Sequence, residues 1–250
     1  MMSWLDRLFG RSSDSGDDIA AAMMRAAAEV ERGDHAAALA IWGPLAHAGV
    51  GRAQNNIGAC FAEGLGVERD LALALRWLTL SAESGDPVGQ RNLAALHFKG
   101  DGVEQSDDEA LRLYRLAAGQ GDAPAQDMLS WMLLEGGRVT DRAEALRWAQ
   151  AAAEAGVATS MTRLGMMHHD ALGVERDAAL AAQWWQRGME AGDPDSEAML
   201  GAATLLGQGV PQDAGRALTL LLSAESEGSL LAAPFIKAAR DAASMTEAAP

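Results

Sequence analysis

The fold of this chain is decided by residues 86–121, which read DPVGQRNLAALHFKGDGVEQSDDEALRLYRLAAGQG. Two alanine- and leucine-rich segments flank a turn that contains Gly100 and Gly102. Ser106 precedes the second segment, where a short oxygen-bearing side chain caps the orphan N–H groups of a helix start. Gly121 follows the second segment, at a position where a residue with left-handed backbone angles ends a helix. The stretch therefore predicts a helix, a glycine turn, a second helix and a stop.

The same pattern recurs along most of the chain. Four kinds of residue return with spacings of 36 residues and a single spacing of 35. They are the helix-stopping glycines Gly85, Gly121, Gly156, Gly192 and Gly228, the small residues Ala74, Ala110, Ala145, Ala181 and Ala217, the capping residues Asp70, Ser106, Asp141, Asp177 and Asp213, and the apolar residues Ile57, Leu93, Leu129, Leu164 and Leu200. Because all four share one shortening, between Gly136 and Asp141, the pattern indicates a true structural repeat.

The repeat also predicts local contacts. Ser106 with Glu109, and Asp141 with Glu144, have the spacing of capping boxes. A small residue after each Leu93-type residue, such as Gly58 or Gly165, would let the second helix approach closely. Large residues three positions after each Ala74-type residue are expected to fill the remaining gap: Trp77, Leu113, Trp148, Trp184 and Leu220.

The period divides the chain into units and ends. We expect full units at 50–85, 86–121, 122–156, 157–192 and 193–228, a divergent unit at 17–49 and a capping helix at 229–243. Residues 1–16 are expected to be a flexible segment with a short amphipathic helix, and residues 244–250 a disordered tail. One helix hairpin cannot bury its apolar faces alone, so the hairpins should stack into an all-α solenoid.

Composition restricts the function classes. The net charge is −15, without the basic footprint that nucleic-acid binding requires, so we expect no DNA or RNA partner. The acidity could favour basic partners or simply keep the surface soluble. Cys60 is alone and reads as a buried core thiol. No secretory signal and no apolar run of membrane-spanning length appears, which predicts a cytoplasmic location.

The residues of one unit, taken together, resemble the Sel-1-like repeat, a branch of the tetratricopeptide superfamily. The resemblance rests on Ala53-Gln54, Ile57-Gly58, Phe61, Gly64, Gly66-Val67, Asp70, Ala74, Trp77, Ser81-Ala82 and Gly85, and on their counterparts in five tandem copies. Residues 17–49 look more like an ordinary tetratricopeptide unit. The resemblance implies a right-handed α-solenoid whose concave face binds a protein or peptide, as in bacterial and eukaryotic adaptors.

The resemblance also places the first helix of each unit on the concave face. The candidate protein-binding residues there are Asn55, Arg91, Phe98, Lys99, Asp127, Trp131 and His169. These positions vary between units, which is typical of a recognition surface and equally of an unconstrained solvent face. Trp131 has a second interpretation, packing against the next helix.

Two other functions compete with a scaffold. Trp4, Leu5, Leu8 and Phe9 share one helical face, so residues 1–11 could tether a membrane-peripheral adaptor, dock on the array or a partner, or stay loose. A cysteine-rich branch of the resembled family has been linked to β-lactam hydrolysis, but this chain lacks its cysteine pairs.

Catalysis and metal binding are not expected from the sequence. His168-His169-Asp170 is the nearest approach to a metal motif, but adjacent helical side chains point about 100° apart. No nucleophile motif and no nucleotide-binding motif is present. We therefore expect a protein without enzymatic activity, cofactor or metal.

Overall fold

The computed structural model describes residues 12–136 and 141–247, with side chains from residue 16 to residue 245. These described residues form thirteen helices and no strand, which confirms the all-α solenoid prediction. The helices are α1 (Ser12–Glu31), α2 (His35–His47), α3 (Gly51–Glu63), α4 (Leu71–Glu83), α5 (Pro87–Lys99), α6 (Asp107–Gly119), α7 (Ala123–Glu135), α8 (Arg142–Glu154), α9 (Ala158–Asp170), α10 (Ala178–Glu190), α11 (Pro194–Leu206), α12 (Ala214–Ser226) and α13 (Ala233–Glu247).

The two ends of the described chain are more helical than expected. Helix α1 begins at Ser12, inside the stretch 1–16 for which the sequence predicts a flexible segment. Helix α13 continues to Glu247, beyond the predicted start of the tail at residue 244. The predicted amphipathic segment, residues 1–11, lies outside the described residues.

The chain forms two compact units, unit 1 up to Asp122 and unit 2 from Ala123 onward. Within unit 1, each helix packs against the next, and α3 also contacts α5. Within unit 2, consecutive helices pack in the same way, and α9 contacts α11. In both units, therefore, the first helices of successive repeats lie side by side.

The helix ends follow the capping pattern. Asp70 accepts hydrogen bonds from the backbone N–H groups of Ala72 (2.9 Å) and Leu73 (3.0 Å). The stop residue Gly85 has φ +87°, and the equivalent glycines of the other repeats also have positive φ. The predicted helix starts and stops are confirmed at these positions.

Neither predicted capping box forms as a reciprocal pair, although the Ser106 half of the first box is confirmed. Ser106 caps the N–H of Glu109, but the Glu109 carboxylate accepts two bonds from Arg112, at 2.8 and 2.6 Å. These bonds lower the pKa of Glu109, and the Ser106 N–H instead donates to the His97 carbonyl. Asp141 has helical backbone angles and no side-chain cap bond. Because Arg112, one turn away, forms a strong charge-assisted pair with Glu109, the Glu109 carboxylate does not bond to the Ser106 backbone N–H.

Helix pairs approach closely where the first helix carries a glycine. A Cβ on Gly165 would lie 2.1 Å from the Trp185 Nε1 atom, and one on Gly58 would lie 2.7 Å from Leu78 Cγ. The filling residue is therefore Trp185 and not the predicted Trp184, which is only half-buried. Residues three and four positions after Ala181 share a helix face, so spacing alone does not choose between them.

In four of the turns within the described ranges, a glycine (Gly66, Gly102, Gly173 or Gly209) touches the start of the second helix of the preceding repeat. A Cβ on Gly66 would lie 2.7 Å from the backbone nitrogen of Ala36, and one on Gly209 would lie 2.0 Å from the carbonyl oxygen of Ala178. These contacts join successive repeats through the backbone.

Removal of one cap should cost a measurable part of the stability. Asp213 accepts a hydrogen bond from the Arg216 N–H (2.9 Å) at the start of α12. We expect Asp213→Ala to lower the free energy of unfolding by about 1 kcal/mol, because that N–H loses its acceptor. Urea unfolding measures the change. Asp213→Asn retains the cap and should stay close to the wild type, and equal losses in both variants would contradict the capping role.

Candidate protein-binding faces

The candidate residue Asn55 of unit 1 is used inside the fold. Asn55 is 4% exposed and accepts a hydrogen bond from Asn92 Nδ2 at 2.8 Å. Its own Nδ2 donates to Asn56 Oδ1 at 3.2 Å. The side chain therefore links α3 to α5, and contact with a partner stays a prediction.

Arg91 lies at the boundary between two helices of unit 1. Its Nε atom is 3.0 Å from Asp122 Oδ1, although that N–H is not aligned for a hydrogen bond. Burial raises the pKa of Tyr114 to about 12, and the charge of Arg91 acts in the opposite direction. Arg91 thus forms an ion pair with the residue that precedes α7 in the chain.

A small cleft of about 270 Å³ lies along α3 and α5. It is lined by the half-buried Ala59, Ala62 and Ala95 and by the buried Leu78 and Leu96. Glu63 and Lys99 lie at its exposed rim. The candidate residue Lys99 is therefore accessible, whereas Phe98 is half-buried beside it.

Asp127 is the polar centre of unit 2. Its carboxylate accepts hydrogen bonds from Thr159 Oγ1 (3.1 Å) and Ser160 Oγ, and pairs with the guanidinium of Arg163. Its side chain is 16% exposed. These bonds join α7 to α9, so the main observed role of Asp127 is to hold two first helices together. Partner contact by Asp127 stays a prediction.

A similar polar tie joins α9 to α11. Thr162 Oγ1 bonds to the carboxylate of Asp193 and lies 2.5 Å from Ser196 Oγ. Asp193 also accepts the Ser196 backbone N–H at 3.2 Å and so caps α11. The polar groups of Thr162, Asp193 and Ser196 therefore satisfy one another where the two helices meet.

A cleft of about 480 Å³ opens beside these ties in unit 2. It is lined by Trp131, Leu134, Glu135, Arg142, Thr159, Thr162, Arg163, Met166, Met167, Asp170, Leu172, Asp193 and Asp195. Among the candidates from the sequence, it includes Trp131 but not Asp127 or His169. Met166, which is 37% exposed, also lines it.

His169 is held by three neighbours. Its Nδ1 atom lies 2.6 Å from Asp170 Oδ1 and its Nε2 atom 3.0 Å from Gln208 Oε1. Its ring centroid is 5.7 Å from that of Trp185. Within residues 12–136 and 141–247, no group of three His, Cys, Asp or Glu side chains converges on a metal position.

The sequence-based selection missed the charged residues of the unit 2 cleft. Arg163, Asp193 and Asp195 come together there from α9 and from the start of α11. Asp193 and Asp195 read as helix-start residues, and the capping role of Asp193 is real. Their shared position beside Met166 depends on the packing of helices about 30 residues apart in sequence.

No helix in the described ranges has the length and apolarity needed to cross a bilayer. The Sel1 repeat family model matches the chain five times, at residues 51–86, 87–122, 123–157, 158–193 and 194–229. No curated protein matches it.

Two solved structures are similar to this chain. A Sel1 repeat protein from Oxalobacter formigenes shares 29% identity and superposes with a TM-score of 0.77, over 84% of this chain and 87% of its own. The protein c5321, a protective antigen present in uropathogenic Escherichia coli strains and displaying an SLR fold, shares 32% identity with a TM-score of 0.72. That match covers 78% of this chain and 42% of c5321.

Proposed function

Because this chain belongs to the Sel1 repeat family, whose repeats generally form protein-interaction scaffolds, we propose that it is a non-catalytic adaptor that binds a protein along the first helices of its repeats. The observation that carries the proposal is the unit 2 cleft, defined by the lining residues of α7, α9 and α11 given above. It combines a tryptophan, methionines and arginines, which are residue types that protein interfaces favour.

The polar ties beside the cleft support a prepared binding face. Asp127 has two hydroxyl donors and one guanidinium, and His169 is oriented by Asp170 and Gln208. Groups held in this way fix the positions of the helices that they join. A face prepared in advance loses less entropy when a partner binds.

We test the face with an exposed apolar residue instead of the structural carboxylates. Met166→Gln is expected to weaken capture of the partner by roughly tenfold, because an uncharged polar group then replaces an apolar contact without changing the charge of the cleft. Leu222→Gln is the matched control, since Leu222 is 39% exposed and lies on the second helix α12.

Quantitative affinity purification from native lysate, with wild-type protein and both variants as bait, measures this difference. Circular dichroism checks that both variants keep the helical fold. A partner that binds Met166→Gln as strongly as wild type, or loses affinity equally for both variants, would place the binding face elsewhere.

Location and membrane contact belong to the same proposal. Cys60 is a buried free thiol, and burial raises the pKa of this thiol. An unpaired cysteine is compatible with a reducing cytoplasm. Residues 1–11 carry the predicted weak membrane contact through Trp4, Leu5, Leu8 and Phe9. Cell fractionation of the full chain and of a form lacking residues 1–11 tests both points. Equal solubility of the two forms would remove the membrane contact.

A further inference from the structure

We propose that the unit 2 cleft receives an arginine or lysine side chain of the partner together with an adjacent apolar side chain. This inference rests on the proposed function and specifies the chemistry of the partner. It follows from the charge balance of the cleft, from the position of its carboxylates on their helices, and from the apolar walls between them.

The cleft has an apolar part and an acidic part. Trp131, Leu134 and Met166 supply apolar surface. Four carboxylates line the same space: Glu135, Asp170, Asp193 and Asp195. A volume of about 480 Å³ is within the range of clefts that enclose ligand groups.

The carboxylates outweigh the positive charges that line the cleft. Arg163 is already neutralised by Asp127, which lies behind it. Arg142 is the other guanidinium at the cleft. The bonds to Asp193 and Asp195 come from the neutral donors Thr162, Ser196 and Ser229, so the negative charges remain.

Two of these carboxylates occupy positions that the helix itself disfavours. Glu135 is the last residue of α7 and Asp170 the last residue of α9, at the negative end of each helix dipole. Glu also ends several other helices of this chain, such as Glu63 and Glu83, and Asp170 is paired with His169, so the position alone does not mark a site. At the cleft, the carbonyl ends of α7 and α9 add negative potential to that of the two carboxylates, which favours a cation there.

A basic side chain suits this arrangement better than an acidic or neutral one. Its methylene stem packs on apolar surface such as Met166, while its charged head reaches the carboxylates. The ring of Trp131 also attracts a cation. Asp170 is 53% exposed, so a partner side chain has access to it. An acidic peptide would meet the four carboxylates of the cleft as like charges.

The test is selection of peptides on the intact chain. A phage-displayed library of random peptides of about twelve residues is selected on immobilised full-length protein, and the affinities of enriched peptides are measured by fluorescence anisotropy. We expect an arginine or lysine beside a leucine, isoleucine, methionine or phenylalanine in the enriched peptides. The double variant Glu135→Lys/Asp170→Lys should bind them at least roughly tenfold more weakly.

Glu63→Lys is the matched control. Glu63 is the last residue of α3 in unit 1, so it has the same residue type and helix position as Glu135 but faces a different cleft. Its affinity for the enriched peptides should stay within roughly twofold of wild type. The double variant should also keep or raise the thermal midpoint, since lysine suits a helix C-terminus, and this separates lost binding from lost folding.

The outcomes separate the two proposals. Peptides that lose affinity with Met166→Gln but not with the double lysine variant would overturn the charge inference and support the binding face. Enriched peptides without a basic residue would also overturn it. Peptides indifferent to both changes, or no enrichment at all, would contradict the cleft as a binding face as well.

Discussion

Replacing Trp185 with alanine is expected to lower the free energy of unfolding by about 3–5 kcal/mol. The Trp185 ring is 1% exposed and packs directly over Gly165, which has no side chain that could fill the space. Its Nε1 atom also donates to the Thr162 carbonyl at 3.2 Å. The variant therefore creates a cavity that the backbone cannot close and removes the donor to a buried carbonyl.

Trp184 provides the internal control for this prediction. It is half-buried, and the guanidinium carbon of Arg187 lies 4.2 Å from its ring centroid. Trp184→Ala loses a partly exposed cation–π contact and should cost about 1 kcal/mol. Urea unfolding followed by far-UV circular dichroism compares the two variants. Equal losses would mean that the burial assigned to Trp185 is wrong.

A second substitution tests the same contact from the opposite helix. Gly165→Ala places a Cβ 2.1 Å from Trp185 Nε1 and should cost about 1–3 kcal/mol in the wild type. In the Trp185→Ala background the same methyl group enters the cavity, so its cost should fall to about zero. Additive losses would show that the two residues do not share one packing site.

The repeat and its caps could be predicted because their signals are local. A capping side chain such as Asp70 and a stop such as Gly85 act within a few residues of their own position, so the sequence order carries the information. The choice between Trp184 and Trp185 is different. It depends on the rotation of α10 against α9, which adjacent positions in one sequence do not specify.

The binding face was only partly predictable for a related reason. The sequence correctly placed Asn55 and Asp127 on first helices but did not show that their side chains are used between helices. Their partners, Asn92 and Ser160, are 37 and 33 residues away. A polar residue on a repeated helix can bind a neighbouring repeat or an outside partner, and only the packing distinguishes the two.

These internal ties have a consequence for binding. Hydrogen bonds from α7 to α9 and from α9 to α11 set the width of the unit 2 cleft before any partner arrives. The exposed residues between the ties, such as Met166, are then free to differ without loss of the fold. Binding specificity and stability are thereby assigned to different side chains of the same helices.

The second large effect is expected at Gly209, in the turn between α11 and α12. Gly209 has φ +74°, where an L-residue pays about 1–2 kcal/mol. A Cβ there would also lie 2.0 Å from the Ala178 carbonyl oxygen and 2.3 Å from its carbon. These are backbone atoms at the start of α10 and have no rotamer to change. Gly209→Ala must therefore push the turn away from α10, and we expect a total loss of about 3 kcal/mol or more.

Gly192 separates the two parts of that loss. It has φ +85°, but a Cβ there would meet no atom within 4 Å. Gly192→Ala should therefore show only the backbone strain, about 1–2 kcal/mol. The difference between the two variants in urea unfolding measures the contact between the turn and the preceding repeat. If Gly209→Ala costs no more than Gly192→Ala, the turn does not hold adjacent repeats together, and their stacking depends on side chains alone.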